Sequence, residues 1–235
     1  MLGNIRSYII EILYLLPAIV PALCVHEYFH AQVSTWLGDP LPRSTGRLTL
    51  DPRKHIDIMG FLMLLIVRFG WAKPVYVDPR YYKHKKLGMS LVAIAGPIAN
   101  LLLGFICTAL YILCFRLGSS TVEIVIRQIL AYCIIINVGL AVFNLIPISP
   151  LDGSKLLAAF LPLKAYEKVL KFERYGFIVL IVLLFDIPLR LLTILGVPYS
   201  LAQWFSLTTY LGIARGYIMD AYFWLLDPLA RLVLG

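Results

Sequence analysis

Charge is scarce in this sequence. Of its 235 residues only 14% are Asp, Glu, Lys or Arg, against 60% hydrophobic ones. A soluble domain carries about 25% charged and about 45–50% apolar residues. With a mean hydropathy of +0.85, the shortage excludes a solvated globular chain, and most of the residues must lie in lipid. Cysteine is also rare. The four thiols, Cys24, Cys107, Cys114 and Cys133, sit in apolar segments and none forms a C-x-x-C pair. That excludes a disulfide framework and leaves packing thiols. Alternating stretches of about ten residues are missing, which argues against a membrane barrel. The chain has no N-x-S/T sequon, no low-complexity tract, no internal repeat and no nucleic-acid signature. Its net charge of +8 reads as basic loops that set membrane orientation.

What remains is a set of long apolar runs. A spanning helix needs about 20 mostly apolar residues, and the pattern predicts an all-α polytopic membrane protein with about five to six spans. The first is expected from about Tyr8 to Leu37, with a kink from Pro17 and Pro21. The N-terminus has one arginine before an apolar run, like a signal peptide, but no small-residue cleavage site follows, so a retained span is expected. Further spans are expected near 87–115, 122–148 and 175–195, with a last apolar stretch at 199–226. Asp186 and Arg190, four apart, are expected to pair. The apolar heart of residues 59–67 is too short to cross. "RLTLD" and "KPVYVD" beside it alternate like short strands, which predicts a strand-like or re-entrant element at the membrane edge over about 47–77. The whole, 1–235, reads as one transmembrane domain, with a core over about 8–160 and C-terminal membrane segments over about 175–226.

If the 59–67 element does not cross, the loops around 39–86 and 150–174 share one face. That face collects most of the basic residues, among them Lys73, Lys83, Lys85, Lys86, Lys155, Lys164, Lys168, Lys171 and Arg174, while the other keeps little beyond Arg6 and Arg116. The positive-inside rule makes the rich face cytoplasmic, and a multi-pass protein of the cell membrane is expected.

The segment "VHEYFH" lies inside the first apolar run. On a helix, His26 and His30 project from one face, with Glu27 beside the first. H-E-x-x-H is the two-histidine zinc arrangement with the glutamate as general base. A carboxylate deep in a span costs about 2.5–3.5 kcal/mol or more to insert, so such a group is functional by default. A third ligand is needed. Asp152, in "FNLIPISPLDGSKLL", follows an apolar run between Pro147, Pro150 and Gly153. With both runs entering from the same side, it can reach the depth of the histidines. The competing reading of Asp152 is an ordinary turn residue in D-G. Asn144 is a candidate oxyanion stabiliser, or a hydrogen-bonding link between helices; Asn100 reads as such a link. His55 and His84 read as solvated loop histidines.

The paired motifs resemble those of the site-2 protease family of intramembrane zinc metalloproteases. H-E-x-x-H is matched by His26, Glu27 and His30. An N-x-x-P-x-x-x-L-D-G motif is matched by Asn144, Pro147, Leu151, Asp152 and Gly153, and "GPIAN", Gly96 to Asn100, resembles the family's glycine-rich span. The resemblance covers roughly residues 8–160. It implies one Zn²⁺ per chain on His26, His30 and Asp152, Glu27 as catalytic base, and Asn144 holding substrate or oxyanion. It also implies cleavage in or near transmembrane segments of membrane-protein substrates, by a minimal member without PDZ or CBS domains. The competing class is a metal-binding transporter or sensor without protease activity, in which Glu27 would be dispensable.

Overall fold

The computed structural model describes residues 2–67, 70–116, 120–162 and 175–234. The expected basic positions Lys164, Lys168, Lys171 and Arg174 lie outside these. Helix α1 (Leu2–Trp36) runs unbroken through Pro17 and Pro21. Two single turns follow, α2 (Leu41–Ser44) and α3 (Pro52–His55), the latter capped by the Asp51 side chain, which accepts from the N–H of Arg53. Then come α4 (Ile58–Val67), α5 (Lys85–Leu113), α6 (Thr121–Asn144) and α7 (Asp152–Phe160). Helix α8, described over Tyr175–Leu184, bends by 54° into α9 (Ile187–Ile194). The chain closes with α10 (Tyr199–Ala202), α11 (Leu207–Leu225) and α12 (Asp227–Leu234).

This is an all-α membrane protein. Helices α1, α5 and α6 are long and apolar enough to cross a bilayer, and the bent pair α8–α9 makes a fourth if it counts as one span. Among the described residues the count by length and composition is therefore three to four, where the sequence pattern predicts about five to six. Helix α11 carries Arg215 and Asp220 on exposed positions, and charge at those places makes it a poor span. At 1.5 Å per residue α5 is about 44 Å long, ample for a hydrocarbon core of about 30 Å.

Helix α5 is central because one of its faces is small. Gly88, Ala93, Gly96, Ala99, Gly104 and Cys107 are buried along it, and small residues let neighbouring backbones approach. It packs between α1 and α6. A Cβ on Gly104 would already lie 3.3 Å from Cγ2 of Val138. Below this contact Cys107, Ile134, Val138 and Tyr222 form an apolar cluster, and the Tyr222 hydroxyl donates to the carbonyl of Leu101 at 2.7 Å. Leu13, Leu102, Ile106 and Val122 point outward, while Asn100, Thr108 and Asn137 are buried. Polar groups inside and apolar groups outside is the arrangement lipid demands.

The region expected to be strand-like is different. There is no strand among the described residues, only an isolated antiparallel bridge between Ile56 and Ala72. The 59–67 heart forms α4, whose ten residues reach about 15 Å, half the hydrocarbon core. The chain then returns along it. A Cβ on Gly60 would lie 2.1 Å from the carbonyl oxygen of Trp71, and one on Gly70 would lie 2.1 Å from that of Gly60. The two glycines let a helix and an extended limb, residues 70–78, touch backbone to backbone. The limb is anchored at its end, where the N–H of Asp78 donates to Asp39 at 2.8 Å. Residues 47–50 form bends and coil.

Two expectations about side chains fail. His55 is fully buried, not solvated: its Nε2 meets the carbonyl of Thr49 at 2.6 Å, and the N–H of Lys73 donates to its own carbonyl at 2.7 Å. Asp186 does not pair with Arg190. It takes a left-handed backbone (φ 49°) at the α8–α9 bend, and its carboxylate accepts from the hydroxyl of Thr208 at 2.5 Å. The bend turns the side chain away from the helical spacing on which the expected pair depended.

Candidate metal centre and active site

Helix α1 presents His26 and His30 on one face, and α7 brings Asp152 to them. Oδ2 of Asp152 lies 3.1 Å from Nε2 of His26 and 3.0 Å from Nε2 of His30, and the two nitrogens are 3.0 Å apart. All three side chains are buried. The delivery of Asp152 is local chemistry. Helix α6 ends at Asn144, four residues before the expected end of its span. The turn to Leu151 is tight enough that Asp152 becomes the first residue of α7. Gly153 makes the turn possible, since a Cβ there would lie 2.3 Å from the carbonyl oxygen of Leu145 and 2.4 Å from that of Ile146.

The second nitrogen of each imidazole decides what this cluster can hold. Nδ1 of His30 faces the carbonyl of Val92 at 2.7 Å. A carbonyl only accepts, so this nitrogen carries the proton. Nδ1 of His26 faces Oδ1 of Asn100 at 2.6 Å. When the rings are neutral, both Nε2 atoms are bare lone pairs, aimed with a carboxylate oxygen at one point. Three acceptors about 3 Å apart repel unless a cation lies among them. A tetrahedral ion with donors at about 2.0–2.1 Å separates them by roughly 3.3–3.4 Å, within a few tenths of the observed spacing. The residues fit a zinc-sized cation, and the donor set of two imidazoles and a carboxylate suits zinc.

Glu27 is buried one residue along α1, and its Oε2 accepts from the N–H of Val75, on the extended limb, at 3.0 Å. Asn144 is half-buried at the end of α6, and its Nδ2 donates to the carbonyl of Leu140 at 3.0 Å. Both line a cavity of about 490 Å³ that also holds His26, His30 and Asp152. Its other walls are mostly apolar: Leu23 from α1, Phe61 and Leu64 from α4, Val75 and Val77 from the limb, Phe177 and Leu180 from α8. Each of the five residues singled out from the sequence therefore borders the same space.

The histidine-bearing face of α1 packs on α5, through Gly96, Asn100 and the carbonyl of Val92. A relative of known name covers most of the chain: it is 38% identical over 173 residues to "Putative zinc metalloprotease YwhC" of Bacillus subtilis, spanning 72% of this chain and 79% of that protein. The chain belongs to peptidase family M50. The sequence profile described as Peptidase family M50 matches residues 112–185, a stretch that includes Asn144 and Asp152. Two other relatives are more distant. "Putative zinc metalloprotease Rip2" of Mycolicibacterium smegmatis is 29% identical over 184 residues, covering 76% of this chain and 69% of its own. "Putative zinc metalloprotease MJ0611" of Methanocaldococcus jannaschii is 35% identical over 102 residues, covering 43% and 49%. No solved structure matches the chain significantly. As an M50 peptidase, the protein is a metalloprotease, a hydrolase of peptide bonds.

Three further residues pack on this candidate centre without having been singled out for it from the sequence. Lys155, read only as part of a basic loop, lies one turn after Asp152 and donates from Nζ to its Oδ1 at 3.3 Å. Helix α8 carries no motif, yet Gly176 packs against the linker before Asp152: a Cβ on it would lie 2.3 Å from the carbonyl oxygen of Ser149. Asn100, read as a helix link, does make that link and also holds His26. Its spacing of four from Gly96 on an otherwise apolar helix is the one signal in the sequence that could have pointed to it.

Proposed function

We propose that this M50 metalloprotease holds one Zn²⁺ on His26, His30 and Asp152 and cleaves peptide bonds in or near transmembrane segments of membrane-protein substrates, the reaction of regulated intramembrane proteolysis. The observation that carries the reading is the convergence of two imidazole nitrogens and a carboxylate oxygen, 3.0–3.1 Å apart, beside a buried glutamate. Zn²⁺ supplies Lewis acidity there, towards a peptide carbonyl and towards water.

The chain's own residues do the rest. Glu27 takes a proton from the attacking water and returns it to the leaving amide nitrogen, the general acid–base role its position allows. The Val75 N–H fixes the carboxylate through one oxygen and leaves the other for the proton. Asn144, at the cavity wall, exchanges its bond to the Leu140 carbonyl for one to the substrate carbonyl as charge develops on it. The apolar walls limit bulk water and favour an apolar peptide. A helical segment hides its amides in its own hydrogen bonds, so it must unwind before attack, and the extended limb at 74–77 offers an edge that can receive it.

The basic face around 39–86 and Lys155 supports a cell-membrane protein whose site opens towards the cytoplasm. The test is metal analysis of purified protein with a transmembrane model substrate in detergent. Wild type should bind one zinc and cleave. His26→Ala should lose both properties, and Glu27→Gln should keep zinc and lose cleavage. A Glu27→Gln protein that still cleaves would exclude this mechanism.

A further inference from the structure

The two imidazoles are held by different means. His30 donates from Nδ1 to a backbone carbonyl, that of Val92, which no substitution removes. His26 depends on side chains. Its Nδ1 lies 2.6 Å from Oδ1 of Asn100, and an amide could present either its oxygen or its NH₂ group to a ring nitrogen. What decides is on the far side of Asn100. Its Nδ2 donates to the carbonyl of Ala22 at 3.0 Å and to Oδ1 of Asn137 at 2.8 Å. Asn137 is fixed in turn, because its Nδ2 donates to the carbonyl of Cys133 at 2.9 Å. The carbonyls of Ala22 and Cys133 can only accept. Every amide in the series therefore has one permitted orientation, and the last oxygen must face His26.

We propose that Asn137, on α6, is a positioning residue that acts through Asn100 on α5 to keep His26 in its Nδ1–H form with Nε2 bare towards the metal. Nothing in the family motifs includes Asn137. Asn100 is fully buried and Asn137 is 1% exposed, so water cannot substitute for a lost partner. If Asn100 turned over, its NH₂ would face Nδ1. The ring would then carry its proton on Nε2, pointing into the space shared with His30 and Asp152. Outer partners of this kind are worth about 10–100-fold in metal affinity. For Asn137, one bond further out, the expected loss is near the lower end. The inference rests on His26 being a zinc ligand.

The experiment uses the full chain in detergent, with Zn²⁺ affinity measured by competition against a chromophoric chelator. The second readout is the ¹⁵N spectrum of histidine-labelled, zinc-free protein. With only four histidines in the chain, single His→Gln variants assign the spectrum. Wild type should show His26 protonated on Nδ1. N137L should weaken Zn²⁺ binding about tenfold and show the Nε2–H form of His26, with His30 unchanged. N137D should stay within about threefold: buried, it is held neutral, its hydroxyl replacing the bond to Cys133 and its carbonyl accepting from Asn100. The N137D spectrum and affinity carry the test alone should N137L fail to fold; a His26 in the Nε2–H form there overturns the relay. So does an N137L protein with wild-type affinity, or one with weakened affinity but His26 still protonated on Nδ1. Failure of the underlying site reading looks different: H26A would then bind Zn²⁺ as tightly as wild type.

Discussion

Gly96 lies directly against His30. A Cβ at position 96 would sit 2.5 Å from Nε2 of His30 and 2.6 Å from Cε1 of His26. Helix α5 can approach the imidazoles only because this residue has no side chain, and the same approach brings Asn100, one turn later, to Nδ1 of His26.

Gly96→Ala is therefore expected to push the histidine pair out of line. Helix propensity alone would favour alanine by about 1 kcal/mol, but forcing a methyl into a packed contact costs about 1–3 kcal/mol. The clash falls on rings that are held at both nitrogens and cannot simply rotate away. The expected result is a protein that remains helical by circular dichroism and binds zinc at least tenfold more weakly. Wild-type zinc affinity in Gly96→Ala would show that the helices have room to separate.

The link between Glu27 and Val75 gives a second outcome. Val75→Pro removes the N–H that holds the carboxylate without touching the three converging residues. Zinc content should stay at the wild-type level while cleavage slows by about tenfold or more, less than the loss in Glu27→Gln, since general acid–base catalysis is worth about 10²–10⁴-fold. Comparing the two variants with the same substrate separates a misplaced base from an absent one. Equal rates for wild type and Val75→Pro would remove the limb from the mechanism.

Lys155 bears on Asp152 more weakly. Its side chain is 44% exposed and the ion pair spans 3.3 Å. A partly solvated pair of this kind is worth about 0–1 kcal/mol, so Lys155→Met should reduce zinc affinity by less than about sixfold. A loss of a hundredfold in chelator competition would mean that Lys155 sets the carboxylate's position rather than merely neutralising its outer oxygen.

His55 supplies a contrasting variant. Its Nε2 holds the Thr49 carbonyl, and Nδ1 has no partner although it is buried. His55→Leu removes that orphan but leaves the carbonyl unsatisfied, a cost of about 1–3 kcal/mol. Thermal unfolding in detergent should come at lower temperature, with one zinc still bound per chain. Loss of the metal at an unchanged melting temperature would give His55 a role at the site that its placement beside Thr49 does not suggest.

Much of this protein could be read without a structure because its strongest signals are local. The shortage of charge and the length of the apolar runs require membrane helices whatever their packing. The i, i+4 geometry of a helix places His26 and His30 together before any neighbour is known. The two prolines and Gly153 announce that the helix carrying Asn144 must end before Asp152. The limb at 70–78 was harder, since an alternating pattern does not distinguish a strand from an extended segment laid against a helix. The choice there was made by Gly60 and Gly70, which meet only after the chain has turned back.

Contacts between separate helices were decided by the tertiary structure alone. Whether Asn100 is merely a link or also the partner of His26, whether Asn137 stands behind it, whether Lys155 reaches Asp152 and whether His55 meets water all depend on distances of a few ångströms across helix interfaces. Hydrogen bonds and close packing act only at that range, and spacing along one chain carries no information about it.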